Sequence, residues 1–137
     1  MEKQALYEFM RARRFAVMAS VSPQRTPEAA LVGYAVTPEF ELVFDTTDAT
    51  RKCPNLRANP AIAFVIGWEG WETVQYEGMA DEPAGEERER LLKIYLEAFP
   101  DGVARQEWPG ITYFRVRPRW IRFSSYYRPR AITEFSF

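Results

Sequence analysis

The chain has 137 residues, a length that suits one domain with a single hydrophobic core. Its hydrophobic content of 47% is that of a globular protein, and its formal net charge of −1 gives no general attraction to nucleic acid or anionic membranes. Histidine is absent and cysteine occurs once, which excludes Ser-His-Asp catalysis, histidine metal sites and an internal disulfide. No apolar run reaches about 20 residues and no signal-peptide pattern occurs, so we expect a cytoplasmic protein without a membrane segment or a metal site.

One amphipathic helix and three strands are predicted in the first third of the chain. Residues 2–13 place Leu6 and Met10 four positions apart, and we interpret this helix as a cap on a sheet. Apolar patterning then predicts three strands, at 15–22, 28–36 and 40–46. The first of these strands is apolar on both faces, which indicates that one face packs inward and the other is covered.

The stretch 44–60, FDTTDATRKCPNLRANP, combines hydroxyl groups and cations between a strand end and a short helix. Five of its side chains can hold a phosphate: Thr46, Thr47, Thr50, Arg51 and Lys52. The two cations stand at the start of a predicted 51–58 helix, where free N–H groups and the helix dipole favour an anion. We therefore predict a phosphate site here, and a capped helix with two solvated cations is the alternative that the residues leave open.

A hairpin and a second long helix are predicted further along the chain. The hairpin consists of two strands, 61–68 and 71–83, of which the first is almost continuously apolar. Acidic residues begin the helix 86–99, so we interpret Glu86 and Glu87 as helix-start charges rather than as paired catalytic carboxylates. The apolar stripe of this helix has four members: Leu92, Tyr95, Leu96 and Phe99.

The C-terminal stretch 112–130 interleaves arginines with aromatic residues. Such a pattern occurs in proteins that bind single-stranded nucleic acid through phosphate contacts and base stacking. Its alternation equally predicts two strands on either side of Pro118, each with one apolar and one charged face. We favour the two strands, and we expect no nucleic-acid partner.

The central motif resembles that of the pyridoxamine 5'-phosphate oxidase-like family. A strand that ends in Phe-x-Thr, a Thr-Arg-Lys triplet, Asn-Leu-x-x-Asn-Pro and a further apolar strand occur in this order, and the resemblance extends over roughly residues 5–124. It implies a mainly β fold with flanking helices, a six-stranded antiparallel FMN-binding split β-barrel, with residues 1–137 as one domain.

The resemblance also implies the cofactor, the partner and the site. FMN would be bound at the interface of a homodimer, with its phosphate on the cluster of hydroxyls and cations at 46–52. The second strand would lie along the edge of the flavin ring through Ala30, Leu31 and Val32. Trp71 and Thr73 are the nearest candidates to contact the flavin of the partner subunit, and packing in the dimer interface is the alternative for Trp71.

The sequence departs from the oxidase proper at several positions. The oxidase carries an arginine at the start and a lysine at the end of the second strand, and PEAALVG supplies neither. Ser124 stands where the oxidase has a tryptophan, Arg130 matches its substrate-binding arginine, and Ile132 replaces its substrate-binding histidine. We therefore expect negligible turnover of pyridoxamine phosphate.

Three functions remain open from the sequence. The first is an FMN-dependent oxidoreductase that acts on a small-molecule substrate, with a nicotinamide donor as one possibility and with no protein catalytic residue identified. The second is a non-enzymatic flavin-binding or stress-associated module, and the third is a nucleic-acid-binding barrel. A deazaflavin or haem in place of FMN also stays open, although the absence of histidine argues against a histidine-ligated haem.

Overall fold

The computed structural model of the protein describes residues 1–137 and contains four helices and eight strands. The helices are α1 (Lys3–Arg11), α2 (Lys52–Ala58), α3 (Gly85–Ala98) and α4 (Gly102–Arg105). The strands are β1 (Phe15–Val21), β2 (Pro27–Gly33), β3 (Ala35–Val36), β4 (Leu42–Thr47), β5 (Ala61–Ile66), β6 (Glu72–Asp81), β7 (Ile111–Ser125) and β8 (Ala131–Ser136). None of the helices has both the length and the hydropathy that crossing a bilayer requires.

All eight strands belong to one antiparallel sheet, in the order β2-β1-β5-β6-β7-β4-β3, with β8 paired to β7. The sheet curls into a split β-barrel, so the predicted fold class is confirmed, but the barrel has more strands than the six that were expected. The predicted strand 28–36 is interrupted at Tyr34, which separates β2 from β3, and β8 follows the last predicted strand.

The prediction of two separate strands around Pro118 was wrong, because β7 runs through this proline as a single strand of 15 residues. Pro118 lies opposite Gly78, where the register of β6 and β7 shifts. A Cβ atom on Gly78 would lie 2.3 Å from the carbonyl oxygen of Arg117, so the bulge requires glycine. The bend lets the first half of β7 pair with β4 and the second half with β8.

Aliphatic and aromatic side chains together fill the barrel, and the two long helices, α1 and α3, each cover part of its surface. The main core of 22 buried residues includes Leu6 and Met10, both fully buried, which confirms α1 as a cap. A second core lies beneath α3, where Leu91 and Tyr95 pack with neighbours that include Phe99. The buried stripe of α3 therefore contains Leu91, while the predicted Leu92 and Leu96 are only half-buried.

The outer face of β2, β1 and β5 has no covering helix. Leu31 pairs with Val17, and Val17 pairs with Val65, so the three side chains form one row across these strands. All three are exposed, at 62%, 38% and 41% respectively, and Phe15 is exposed in the same region. The outer faces of the apolar strands 15–22 and 61–68 are thus left open by the two long helices.

Candidate functional site

Four of the five predicted phosphate-binding residues form one connected network. The hydroxyl oxygens of Thr46, at the end of β4, and Thr50 lie 2.9 Å apart. Lys52 Nζ donates a hydrogen bond to Thr46 Oγ1 at 3.4 Å, and Thr50 Oγ1 donates to the carbonyl oxygen of Thr47 at 2.8 Å. A backbone hydrogen bond from Thr50 N to Thr47 O closes the turn, so the strand end and the helix start face each other.

A cleft of about 220 Å³ opens beside this network, between the first two strands and the turn before α2. Its eight lining residues are Met18, Ser20, Glu28, Ala29, Ala30, Thr50, Arg51 and Lys52. The small side chains of Ala29 and Ala30 leave room along β2, which is an edge strand of the sheet and has one backbone edge unpaired by another strand. The cleft therefore joins the predicted strand contact to the predicted cations.

Glu28 is a residue of this cleft that the sequence reasoning missed. Its Oε2 atom pairs with Arg51 NH1 at 2.9 Å, and its Oε1 atom accepts a hydrogen bond from Asn55 Nδ2 at 2.8 Å. Asn55 Nδ2 also lies within hydrogen-bond distance of Ser20 Oγ, at 3.1 Å, which fixes the amide. A carboxylate immediately before two alanines is the available signal, and no local pattern relates it to Arg51, which lies 23 positions away.

The two cations differ in their surroundings. The Arg51 side chain is 75% exposed and is held by Glu28, whereas Lys52 is half-buried and its side-chain hydrogen bond goes to Thr46. Burial lowers the pKa of Lys52 from its ordinary value. Because α2 has only seven residues, the positive charge beside the cleft comes mainly from these side chains rather than from the helix terminus that the sequence suggested.

The other predicted site residues are not gathered at this cleft. Leu31 points outward from β2, and Val32 is buried in the main core, so it can offer only its backbone. Trp71, 63% exposed, and Thr73 lie at the start of β6, which the strand register places beside the end of β5, away from the cleft. There Thr73 Oγ1 donates to the carbonyl oxygen of Ile66 at 3.4 Å. Within one chain, Trp71 and Thr73 therefore do not meet the phosphate cluster.

Comparison with solved structures supports the fold. The chain is similar to a haem-binding protein from Mycobacterium smegmatis (TM-score 0.85, 16% identity), with 99% of this chain and 58% of that chain covered. It is also similar to HutZ, the haem storage protein of Vibrio cholerae (TM-score 0.75, 15% identity, 97% and 92% covered). A third similar structure is General Stress Protein 26 of Bacillus anthracis (TM-score 0.73, 15% identity, 97% and 98% covered). The chain thus spans less than two thirds of the length of the mycobacterial protein.

Sequence comparison identifies the family. No curated protein is similar enough in sequence to count as a relative. The profile of the family described as "Pyridoxamine 5'-phosphate oxidase" matches residues 2–125, which is most of the chain. This span includes α1, the strands of the barrel through β7 and the cluster of hydroxyls and cations. The chain therefore belongs to the pyridoxamine 5'-phosphate oxidase family.

Proposed function

We propose that this protein binds FMN as a homodimer and acts as a flavin-dependent oxidoreductase whose substrate differs from that of pyridoxamine 5'-phosphate oxidase. The observation that carries the proposal is the cleft beside β2. There the Thr50 hydroxyl, with that of Thr46 behind it, and two cations lie next to small side chains on an edge strand. The third hydroxyl of the cluster, that of Thr47, belongs to the same turn.

The side chains of the cleft fit a phosphate group. Thr50 lines the cleft, and its hydroxyl can donate to an anion by exchanging its hydrogen bond to the Thr47 carbonyl oxygen, while Thr46 lies behind it in contact with Thr50 and Lys52. Lys52 supplies a positive charge that no carboxylate pairs with. Arg51 adds a second charge, which Glu28 offsets in part. The local charge of the cleft is therefore positive but smaller than the cations alone would give, so we expect phosphate binding of moderate strength.

The cleft is too small for a whole cofactor. Ligand sites usually occupy about 300–1,000 Å³, and the cleft holds about 220 Å³. It can take the phosphate end of FMN, while the ring system would extend along the edge of β2 past Ala30 and Leu31. A second surface is then needed to cover the ring.

We infer that a second copy of the chain supplies that surface. The exposed row of Leu31, Val17 and Val65 begins on the same strand that borders the cleft. Exposed apolar surface of this kind is typically covered by a partner, and a two-fold dimer is the commonest arrangement. In such a dimer Trp71 and Thr73 of one chain would contact the flavin held by the other, which accounts for their distance from the cleft within one chain.

The chemistry divides between the cofactor and the chain. When bound, FMN supplies hydride and electron transfer, for which the protein needs no histidine. The chain binds the phosphate, orients the ring along β2 and excludes water at the interface. Ile132, an exposed residue of β8, offers no hydrogen bond where the oxidase has a histidine, so the substrate is expected to be a different small molecule.

Haem is a weaker candidate for this chain, although two similar structures are of proteins named for haem. The chain has no histidine, and its single cysteine, Cys53, is fully buried in the barrel core. Burial also raises the pKa of the Cys53 thiol, which disfavours the thiolate that would ligate iron. The donor set of the cleft suits a phosphate better than an iron.

Spectroscopy and turnover test the proposal in sequence. Purified protein with absorbance in the flavin bands would support a flavoprotein, and a colourless sample that shifts oligonucleotides would contradict it. Oxidation of a nicotinamide donor by the flavin-loaded protein would then support an oxidoreductase. A flavin-loaded protein without any turnover would point to a non-enzymatic or stress-associated module instead.

A further inference from the structure

A second cleft, larger than the first, lies between α1, β3 and α3. Its volume is about 410 Å³, within the usual range for small-molecule sites. Three arginines from the end of α1 and the segment after it line the cleft: Arg11, Arg13 and Arg14. It shares no lining residue with the cleft beside β2, so whatever it binds is independent of the FMN assignment.

Two of the three arginines are already held in place. Arg13 NH1 donates to the carbonyl oxygen of Phe9 at 2.8 Å, and its guanidinium lies 3.4 Å from the centroid of the Phe9 ring. The Arg14 guanidinium lies 4.8 Å from the centroid of the Phe99 ring. Because Arg14 stacks on a residue of the cleft wall, it loses little freedom when an anion binds. Arg13 contributes charge, but its contacts to Phe9 and Gly67 lie toward a neighbouring cleft.

The charge of the cleft is unbalanced. None of the three arginines takes part in an ion pair, whereas seven other arginines of the chain do: Arg51, Arg57, Arg90, Arg105, Arg115, Arg117 and Arg122. Glu97 is the one carboxylate among the lining residues. Among the lining residues, three guanidinium groups against one carboxylate leave an excess of two positive charges, which Asp101 near Arg14 offsets in part. A phosphate monoester carries about −1.5 to −2 at pH 7.

The remaining wall of the cleft is apolar and aromatic. Tyr7, Val36, Ile94 and Phe99 are among its lining residues, and the Tyr34 hydroxyl donates to the carbonyl oxygen of Met10 and so is not free to bind a ligand. Such a wall suits a flat organic group rather than a bare ion. We propose that this cleft binds a small organic phosphate monoester, with the phosphate on the arginines and the organic group against the aromatic wall.

Phenyl phosphate is the probe for this site, followed by amide chemical shifts in NMR spectra. The titration is done in an Arg51→Ala, Lys52→Ala background, so that phosphate binding at the first cleft does not contribute. We expect saturable shifts at residues that line the second cleft. Adding Arg11→Gln and Arg14→Gln should weaken the binding of phenyl phosphate at least tenfold, because a charge-assisted hydrogen bond is roughly twice as strong as one between neutral groups.

A matched control separates a site from general electrostatics. Arg25 and Arg119 are also exposed and form no ion pair, although Arg119 donates to Met79 Sδ, so changing both to glutamine in the same background removes the same charge elsewhere on the surface. This control should keep its affinity for phenyl phosphate within about twofold. Equal weakening in both double variants, or no shifts at the cleft at 10 mM probe, would overturn the proposal. Benzoate that binds as tightly as phenyl phosphate would overturn the assignment to a phosphate.

Discussion

Glu28 should limit the affinity of this protein for FMN. Its carboxylate lines the proposed phosphate cleft and lies 2.9 Å from Arg51 NH1. In Glu28→Gln the negative charge is removed and the Arg51 guanidinium is released, while the amide oxygen can still accept the hydrogen bond from Asn55. We therefore expect tighter binding of FMN by a variant that remains folded.

The size of the effect follows from Coulomb's law. A unit charge about 6 Å from a phosphate of charge about −2 costs roughly 1.4 kcal/mol even at the permittivity of water. This corresponds to a factor of about ten in the dissociation constant, and the lower permittivity of the cleft would increase it. Glu28→Gln should thus bind FMN about tenfold more tightly than the natural chain.

Fluorescence titration of the cofactor-free protein measures this change. Riboflavin, which has the same ring system but no phosphate, is the control ligand, and its affinity should be the same for both proteins. If FMN affinity is unchanged or falls in Glu28→Gln, the phosphate does not bind beside Glu28. If riboflavin binding improves as much as FMN binding, the variant acts on the ring rather than on the phosphate.

Four further outcomes are expected. Changing both Arg51 and Lys52 to alanine should weaken FMN binding at least tenfold in the same titration, with the circular dichroism spectrum unchanged, since each lost charge-assisted contact is worth roughly 1.5–3 kcal/mol. Burial lowers the pKa of Lys52. FMN affinity should therefore fall as the pH rises toward this pKa, because the ammonium group loses its proton, and Lys52→Arg should abolish the fall. Leu31→Glu should convert a dimer into a monomer in sedimentation at low micromolar concentration, and should weaken FMN binding at the same time. Pyridoxamine phosphate should be oxidised negligibly because of Ile132, and turnover at about 1 per second or faster would contradict this.

Most helices and strands of the fold could be predicted from local sequence patterns. Alternation along 71–83 correctly assigned Val74, Tyr76 and Gly78 to one side, and all three are buried. The sequence did not predict that β7 is continuous, because a proline within a strand usually ends it. The residue that accommodates Pro118 is Gly78, which lies on the neighbouring strand β6.

The site was accessible only in part. Residues 46–52 are close in sequence, so their clustering could be predicted from the turn that they form. The pairing of Glu28 with Arg51 spans 23 positions and depends on how β2 lies against the start of α2, which no local pattern specifies. The row of Leu31, Val17 and Val65 likewise depends on the register of three strands.

The mass of the cofactor released on denaturation is the most direct test of FMN binding. The protein is purified, incubated with excess FMN, freed of unbound ligand by gel filtration and then denatured, and the released compound is analysed by mass spectrometry. We predict FMN in an amount stoichiometric with the chain, from a protein that elutes as a dimer. Release of haem or of a deazaflavin, or a protein that retains no FMN after this treatment, would contradict the assignment.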